Sequence, residues 1–289
     1  MSSTFLFTVI MLSALGVFLA AVLYFVAQKF KVYEDPRIDE VGEALPGANC
    51  GGCGFAGCRA FAERCVQADS LEELFCPVGG NAVMASIAQI LGKTVAEKAP
   101  MLAVLRCGGA RDKCPQTNRY DGMASCAVAA ALYDGDTDCR YGCLKLGDCA
   151  RACSFGGVTM DPQTGLPLVN EAICVACGSC VKACPKGLLE IRNAGPKGRR
   201  IYVSCLNKDK GAVARKACQA ACIGCGKCVK VCTFEAISLE NNVAYIDFNK
   251  CKLCRKCVSE CPTGSITEVH FPPKKPVAEP VEAGAVEIL

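Results

Sequence analysis

The sequence predicts an α+β protein carried on one N-terminal transmembrane helix, with a small helical module and two tandem repeat units making up the bulk. Three observations carry this prediction. No charged residue occurs from Ser2 to Gln28, the 289 residues include 26 cysteines, and the C-terminal half writes one cysteine motif three times.

The apolar run, almost unbroken from Phe5 to Ala27, is long enough at about 1.5 Å per residue to cross a hydrocarbon core of about 30 Å. No basic segment precedes it and it exceeds a secretory signal core, so residues 1–28 read as a retained anchor, embedded over 4–27. Lys29 and Lys31 follow directly, which by the positive-inside tendency predicts a single-pass protein of the cell inner (plasma) membrane with its C-terminal bulk in the cytoplasm. Ser13, Gly16 and Ala20 form a small-residue stripe suited to close approach of another helix. Residues 29–44, with Glu34, Asp35, Pro36, Arg37, Asp39 and Glu40, read as a solvated linker.

Residues 45–92 read as a helical module. Cys50, Cys53 and Cys58 stand at gaps of two and four, with Cys76 distant, a spacing that suits one four-iron cluster better than zinc, whose sites show two separated pairs. Cys65 falls in the helical stretch Arg59 to Gln67 and is expected to be a buried spare. Residues 82–91 predict a helix ended by Gly92. Met101 to Leu105, within an intermediate segment 93–136, predicts a strand.

The repeats follow. Cys177-Gly178-Ser179-Cys180 with Cys184, Cys225-Gly226-Lys227-Cys228 with Cys232, and Cys254-Arg255-Lys256-Cys257 with Cys261 are one motif; Asp148, Cys149 and Cys153 form a degenerate fourth copy. Two-cluster bacterial ferredoxins bind one cluster with three cysteines of a run and the partner cluster with the fourth. That rule pairs Cys222, Cys225, Cys228 and Cys261, and Cys251, Cys254, Cys257 and Cys232, in a unit at 221–270. In the unit at 137–192 it pairs Cys174, Cys177, Cys180 and Cys153, leaving Cys139, Cys143, Cys149 and Cys184 at irregular gaps. Strands are expected at Leu188 to Ile191, Ala236 to Leu239 and Ile266 to Val269. Ser154 and Thr233 replace the proline that follows the other two crossing cysteines, and are read as either donors to sulfur or neutral replacements.

Six cysteines remain. Cys107 and Cys205 each follow a strand-like segment, and Cys126 and Cys218 adjoin alanine-rich helices. These four are assigned a sixth cluster, with Cys65 and Cys114 free and Cys114 an alternative to any one of the four. A disulfide scaffold is excluded by the recurring blocks, since bridges scatter to suit loops. The formal charge of +4 counts every cysteine neutral; a four-iron core on four thiolates nets about −2, so six bring the loaded chain to about −8. With no tryptophan besides, a nucleic-acid partner is not expected. Residues 193–220 form a basic connector (Lys197, Arg199, Arg200, Lys208, Lys210, Arg215, Lys216), read as a solvated loop or a steering surface for an acidic partner. His270 reads as a surface residue. Residues 271–289 are rich in proline, glutamate and alanine and are expected to be disordered.

An anchor, the Cys50 module, and tandem units carrying Tyr141 to Cys149 and Ala221 to Cys228 together resemble the B-subunit family of the Rnf complex, over about residues 1–270. The resemblance implies an electron-entry subunit of an ion-translocating ferredoxin:NAD oxidoreductase. Soluble ferredoxin would be its donor, and membrane subunits with iron-sulfur and flavin centres its acceptors. No nucleotide fingerprint stands out, so NAD reduction and ion passage are expected on other subunits. The same ladder would serve a hydrogenase or quinone-linked membrane oxidoreductase. A reading from another class, an iron-sulfur sensor, is disfavoured by the anchor and by the number of sites.

Overall fold

The computed structural model describes residues 3–30 and 34–273, so Lys31 and the tail beyond 273 lie outside the described residues. Helix α1 (Ser3–Lys29) is exposed and apolar all round, with mean hydropathy 2.6 in its best window. That surface suits lipid. Thr8 and Ser13 return their hydroxyls to the carbonyls of Phe5 and Val9 at 2.9 and 2.8 Å, so neither needs a partner in an apolar medium.

The linker expectation needs correction, because Arg37–Ala44 fold as helix α2. Pro36 sits just before its first residue, where the missing N–H costs nothing. Ile38, Val41 and Leu45 lie on one face and are buried in the module core. They pack with Phe61 of α3 (Cys58–Gln67), Leu71, and Met84 and Ile87 of α4 (Gly80–Leu91). Three apolar residues among acidic ones were enough to make an amphipathic turn. Gly92, at φ 62°, closes α4 in the left-handed conformation and bonds back to Ala88.

Both repeat units share one plan. In the first, α6 (Asp148–Arg151) leads into the hairpin β2 (Val158–Met160) and β3 (Pro167–Val169), then α7 (Ser179–Lys182) and β4 (Leu189–Asn193). In the second, α9 (Lys227–Lys230) leads into the hairpin β6 (Ile237–Glu240) and β7 (Val243–Ile246), then α10 (Lys256–Glu260) and β8 (Ile266–Val269). The segments expected to lie between units instead supply a strand to each. Strand β1 (Met101–Leu105) pairs antiparallel with β4, and β5 (Arg200–Val203) with β8. Each thereby covers an edge that would otherwise leave backbone donors unpaired. Helices α5 (Cys126–Leu132) and α8 (Gly211–Ala217) lie in the same two segments.

Arg192 on β4 joins the units. It is 1% exposed, donates to the Ile246 carbonyl at 3.0 Å and to Glu190 at 3.2 Å, and lies against the rings of Tyr245 and Phe248 at 5.0 and 5.5 Å.

Candidate metal centres

All 26 cysteines are free thiols. In the second unit they gather as the repeat rule expects: Cys222, Cys225, Cys228 and Cys261 line one cavity, and Cys232, Cys251, Cys254 and Cys257 line another. The local device is a left-handed residue between the second and third cysteines of each run. It is Gly178 at φ 77°, Gly226 at 71° and Arg255 at 66°, each capping the N-terminus of a single helical turn that carries the third cysteine. Arginine is strained there, and Glu268 holds it through Nε at 2.6 Å.

The first unit departs from the sequence-based set. Cys149 and Cys184 share a cavity with Cys143, but the fourth cysteine is Cys126, and Cys139 is absent from its lining. Gly147, at φ 82°, is the counterpart of Gly178 and Gly226 and caps the turn carrying Cys149. In this frame Cys143 matches the first cysteine of the other runs, and Leu146 stands where the second should be. The start of α5 fills the gap. Asp148 accepts bonds from Ser125 Oγ and the Ala127 amide, both at 3.0 Å, and Arg151 donates to the Ala124 carbonyl at 2.7 Å, which pins Cys126 beside Cys149. The sequence signal was the glycine, not the cysteine spacing. In the other set, Cys153, Cys174 and Cys177 surround Cys180 closely enough to raise its pKa further, after burial, to about 11.

The proposed sixth set is also rearranged. Cys107, Cys205 and Cys218 line one buried cavity, but with Cys114 and Cys139 rather than Cys126. Strand ends do present Cys107 and Cys205 together, through a Gly108 N–H donating to the Ser204 carbonyl at 2.8 Å. Cys143 lines this cavity as well as its own. Asn207, 1% exposed, donates from its backbone to Cys205 Sγ at 3.4 Å and from Nδ2 to Cys139 Sγ at 3.5 Å.

In the module, Asn49 accepts the Cys58 amide at 2.8 Å, closing the loop that carries Cys50 and Cys53. Burial pushes the Cys76 thiol up, and Cys53 and Cys58 lie close enough to add to the shift. Cys65 is fully buried, as a spare should be, with its thiol pushed up to about 11 by burial. The loop abuts the first unit: a Cβ on Gly52 would lie 2.9 Å from the Cα and carbonyl oxygen of Cys177. Only glycine permits that approach.

These sites fit clusters. Burial drives Cys139, Cys143 and Cys257 up to about 12, so their thiolates form only where a metal supplies compensating charge. Among the described residues no three His, Cys, Asp or Glu side chains converge as a single ion requires; zinc draws its thiolates to about 2.3 Å. Four thiols spread around a cavity suit a cubane, where each takes a different iron. Burial also raises Cys261, but hydrogen bonds from Ser265 and Thr263 outweigh it and leave its pKa below the ordinary value. The hydroxyls near sulfur include Ser265 and Thr263, 3.4 and 3.8 Å from Cys261, and Ser179, 3.4 Å from Cys177.

Cys225 and Cys254 are the exposed cysteines, both in the second unit. Lys208 and Lys210 stand beside the Cys225 loop. Asn242 donates to the Lys208 carbonyl at 3.0 Å while its own backbone backs Gly224, and Gly211 packs on Ile223. Of the basic connector, Arg200 is buried against Glu171, whereas Lys197, Lys208, Lys210, Arg215 and Lys216 are more accessible. His270 is exposed and bonds Glu171 at 2.9 Å.

Comparison with known proteins agrees with this geometry. Family models match for a 4Fe-4S dicluster domain over residues 221–265, a 4Fe-4S binding domain over 167–190 and a putative Fe-S cluster over 45–77. The chain is 41% identical to the B subunit of the Na(+)-translocating ferredoxin:NAD(+) oxidoreductase complex of Acetobacterium woodii, over 89% of this chain and 75% of that one. It is 39% identical to the B subunit of the proton-translocating ferredoxin:NAD(+) oxidoreductase complex of Clostridium ljungdahlii, over 92% and 93%. It is 41% identical to the B subunit of the ion-translocating oxidoreductase complex of Methanosarcina acetivorans, over 92% and 99%.

Proposed function

The chain belongs to the B-subunit family of the ion-translocating ferredoxin:NAD oxidoreductase complexes, and from that premise we infer that it is the complex's electron-entry arm. One observation carries this reading: the cysteine sites form an unbroken succession. The Cys232/Cys251/Cys254/Cys257 and Cys222/Cys225/Cys228/Cys261 sites interlock through crossing cysteines. Cys222 donates its amide to Cys205 of the central cavity. Cys143 lines both that cavity and the Cys126/Cys143/Cys149/Cys184 site. Cys149 adjoins Cys180 of the Cys153/Cys174/Cys177/Cys180 site, and Cys177 meets the Cys50/Cys53/Cys58/Cys76 loop at Gly52. That module follows α1 in the chain.

Six 4Fe-4S clusters in this order would each supply one-electron storage at low potential. The protein's part is to hold them close, keep water from the inner four and expose only the outer end. Soluble ferredoxin docks at the second unit, where Cys225 and Cys254 reach the surface and Lys208 and Lys210 favour an acidic partner. Electrons leave through the module toward the membrane subunits, with the bulk of the chain on the cytoplasmic side. NAD reduction and ion passage belong to those subunits.

The test is reduction by ferredoxin of the purified complex, followed by freeze-quench EPR. Clusters of the second unit should reduce before that of the module. Charge reversal at Lys208, Lys210 and Lys216 should slow reduction about tenfold or more at low salt and little at high salt. Unchanged rates, or isolation of the chain as a lone homo-oligomer, would contradict this reading.

A further inference from the structure

The cavities that gather the cysteines of the two units hold about 10 to 20 Å³ each. A fifth cavity is of another kind. It lies between the residues before β1, the end of β4, the 194–199 loop and the 248–253 segment, and it holds about 430 Å³ with a single cysteine, Cys251, in its wall. That is the size of a small-molecule site and far more than a water or a lone ion fills. Pro100, Ile201, Phe248 and Leu253 give it apolar walls. Arg192, Arg199 and Arg200 line it too, and no acidic side chain does among the described residues.

The three arginines are held differently. Arg192 is 1% exposed and tied to Glu190 and the Ile246 carbonyl, and Arg200 is 9% exposed and tied to Glu171. Both positions are set by the protein itself. The Arg199 guanidinium makes no hydrogen bond or ion pair among the described residues; its one contact there is the Phe271 ring, at 5.8 Å. A turn with Gly195, Lys197 and Gly198 at φ 70°, 55° and 71° carries Arg199 to the cavity, and a Cβ on Gly195 would lie 2.1 Å from the Arg199 carbonyl oxygen. Among the described residues, three of the four buried side-chain polar atoms without a hydrogen-bond partner are the Nε atoms of Arg192, Arg199 and Arg200. Donors therefore outnumber acceptors around this cavity, and a buried surplus of that kind calls for an acceptor. Guanidinium forks match the oxygens of phosphate and carboxylate. Three such groups, two of them partly offset by Glu171 and Glu190, suit a phosphate monoester of charge about −1.5 to −2 better than a single carboxylate.

We propose that this cavity binds a small organic phosphate, its oxygens held by Arg199 in the field of Arg192 and Arg200 and its apolar or aromatic body against Phe248 and Leu253. The site goes beyond the relay reading and does not depend on it. Cys251 lies in the walls of both this cavity and its own cluster site, so a bound dianion disfavours an added electron on the cluster there.

The test is equilibrium dialysis of the anaerobically purified, cluster-loaded full chain against phenyl phosphate, inorganic phosphate and phenol. Phenyl phosphate should bind with one-to-one stoichiometry, inorganic phosphate about tenfold or more weakly because it lacks the apolar body, and phenol not measurably. Arg199→Gln should weaken phenyl phosphate about tenfold or more at unchanged iron content, with Arg199→Lys, which keeps the charge without the fork, in between. Lys230→Gln removes an equal charge from an exposed position on α9 and should leave the affinity unchanged. Redox-titrated EPR should find the midpoint potential of one second-unit cluster lowered by phenyl phosphate in wild type and unmoved in Arg199→Gln. No saturable binding of phenyl phosphate up to about 10 mM, equal affinity for phenol, or equal affinity in Arg199→Gln would overturn the proposal. Binding that leaves both second-unit potentials unmoved would overturn it as well, because the ligand would then sit away from Cys251. The relay reading fails on a different result, the order in which the clusters are reduced.

Discussion

Replacing Arg192 with methionine tests how the two units are held around the central cavity. The side chain stays long and apolar along its stem but loses the guanidinium, which is 1% exposed. Two charge-assisted hydrogen bonds go, to the Ile246 carbonyl at 3.0 Å and to Glu190 at 3.2 Å, at about 1.5–3 kcal/mol each. Cation–π contacts to Tyr245 and Phe248 at 5.0 and 5.5 Å add about 1 kcal/mol. Against this, the buried Nε has no hydrogen-bond partner, and removing it with the desolvated charge returns about 1–3 kcal/mol. Glu190 is not stranded, since Tyr245 Oη at 2.8 Å and Arg106 at 3.5 Å remain. The net loss is about 3 kcal/mol, at the low end for breaking a buried pair. Because cluster loss makes unfolding irreversible, the assay is the rate at which visible absorbance bleaches in guanidinium chloride. A loss of about 3 kcal/mol corresponds to bleaching up to about 100-fold faster. Bleaching within about threefold of wild type would refute the claim that Arg192 clamps the units, since that is under about 0.7 kcal/mol. Glu190→Gln, which keeps both arginines, should have the smaller effect.

Cys126→Ala should disable one cluster of the first unit, and adding Leu146→Cys should restore it by completing the regular run; iron content decides, and no rescue would contradict the frame set by Gly147. Gly52→Ala should leave iron content at the wild-type value but slow reduction of the module cluster, because its Cβ displaces the loop from Cys177; freeze-quench EPR would show an unchanged rate if the junction is elsewhere. Asn207→Leu removes a side-chain donor to Cys139 sulfur, which favours the oxidised state, so redox-titrated EPR should find the central cluster's potential lowered. Removing iron with a chelator should abolish the ordered structure of both units. Helices α6, α7, α9 and α10 are four or five residues long and are far too short to persist alone; retained near-UV dichroism would argue against this.

Much of the protein was determined by local sequence. The anchor follows from an uncharged apolar run, and the Cys222 and Cys251 sets from spacing that one turn of helix and one left-handed residue convert directly into geometry. Strands β4, β6 and β8 follow from short apolar runs after each cysteine block. Tertiary structure alone decided where distant chain segments meet. Cys126 lies 23 residues before Cys149 in the chain and reaches its site only because Asp148 captures the start of α5; no spacing rule encodes that. Cys139 and Cys114 belong to a cavity formed by two strand ends whose partners, β4 and β8, lie far along the chain. A cysteine's neighbours in sequence predict its site when the ligating loop is short and self-contained. Where ligands converge from separate elements, the packing of those elements selects among chemically identical thiols.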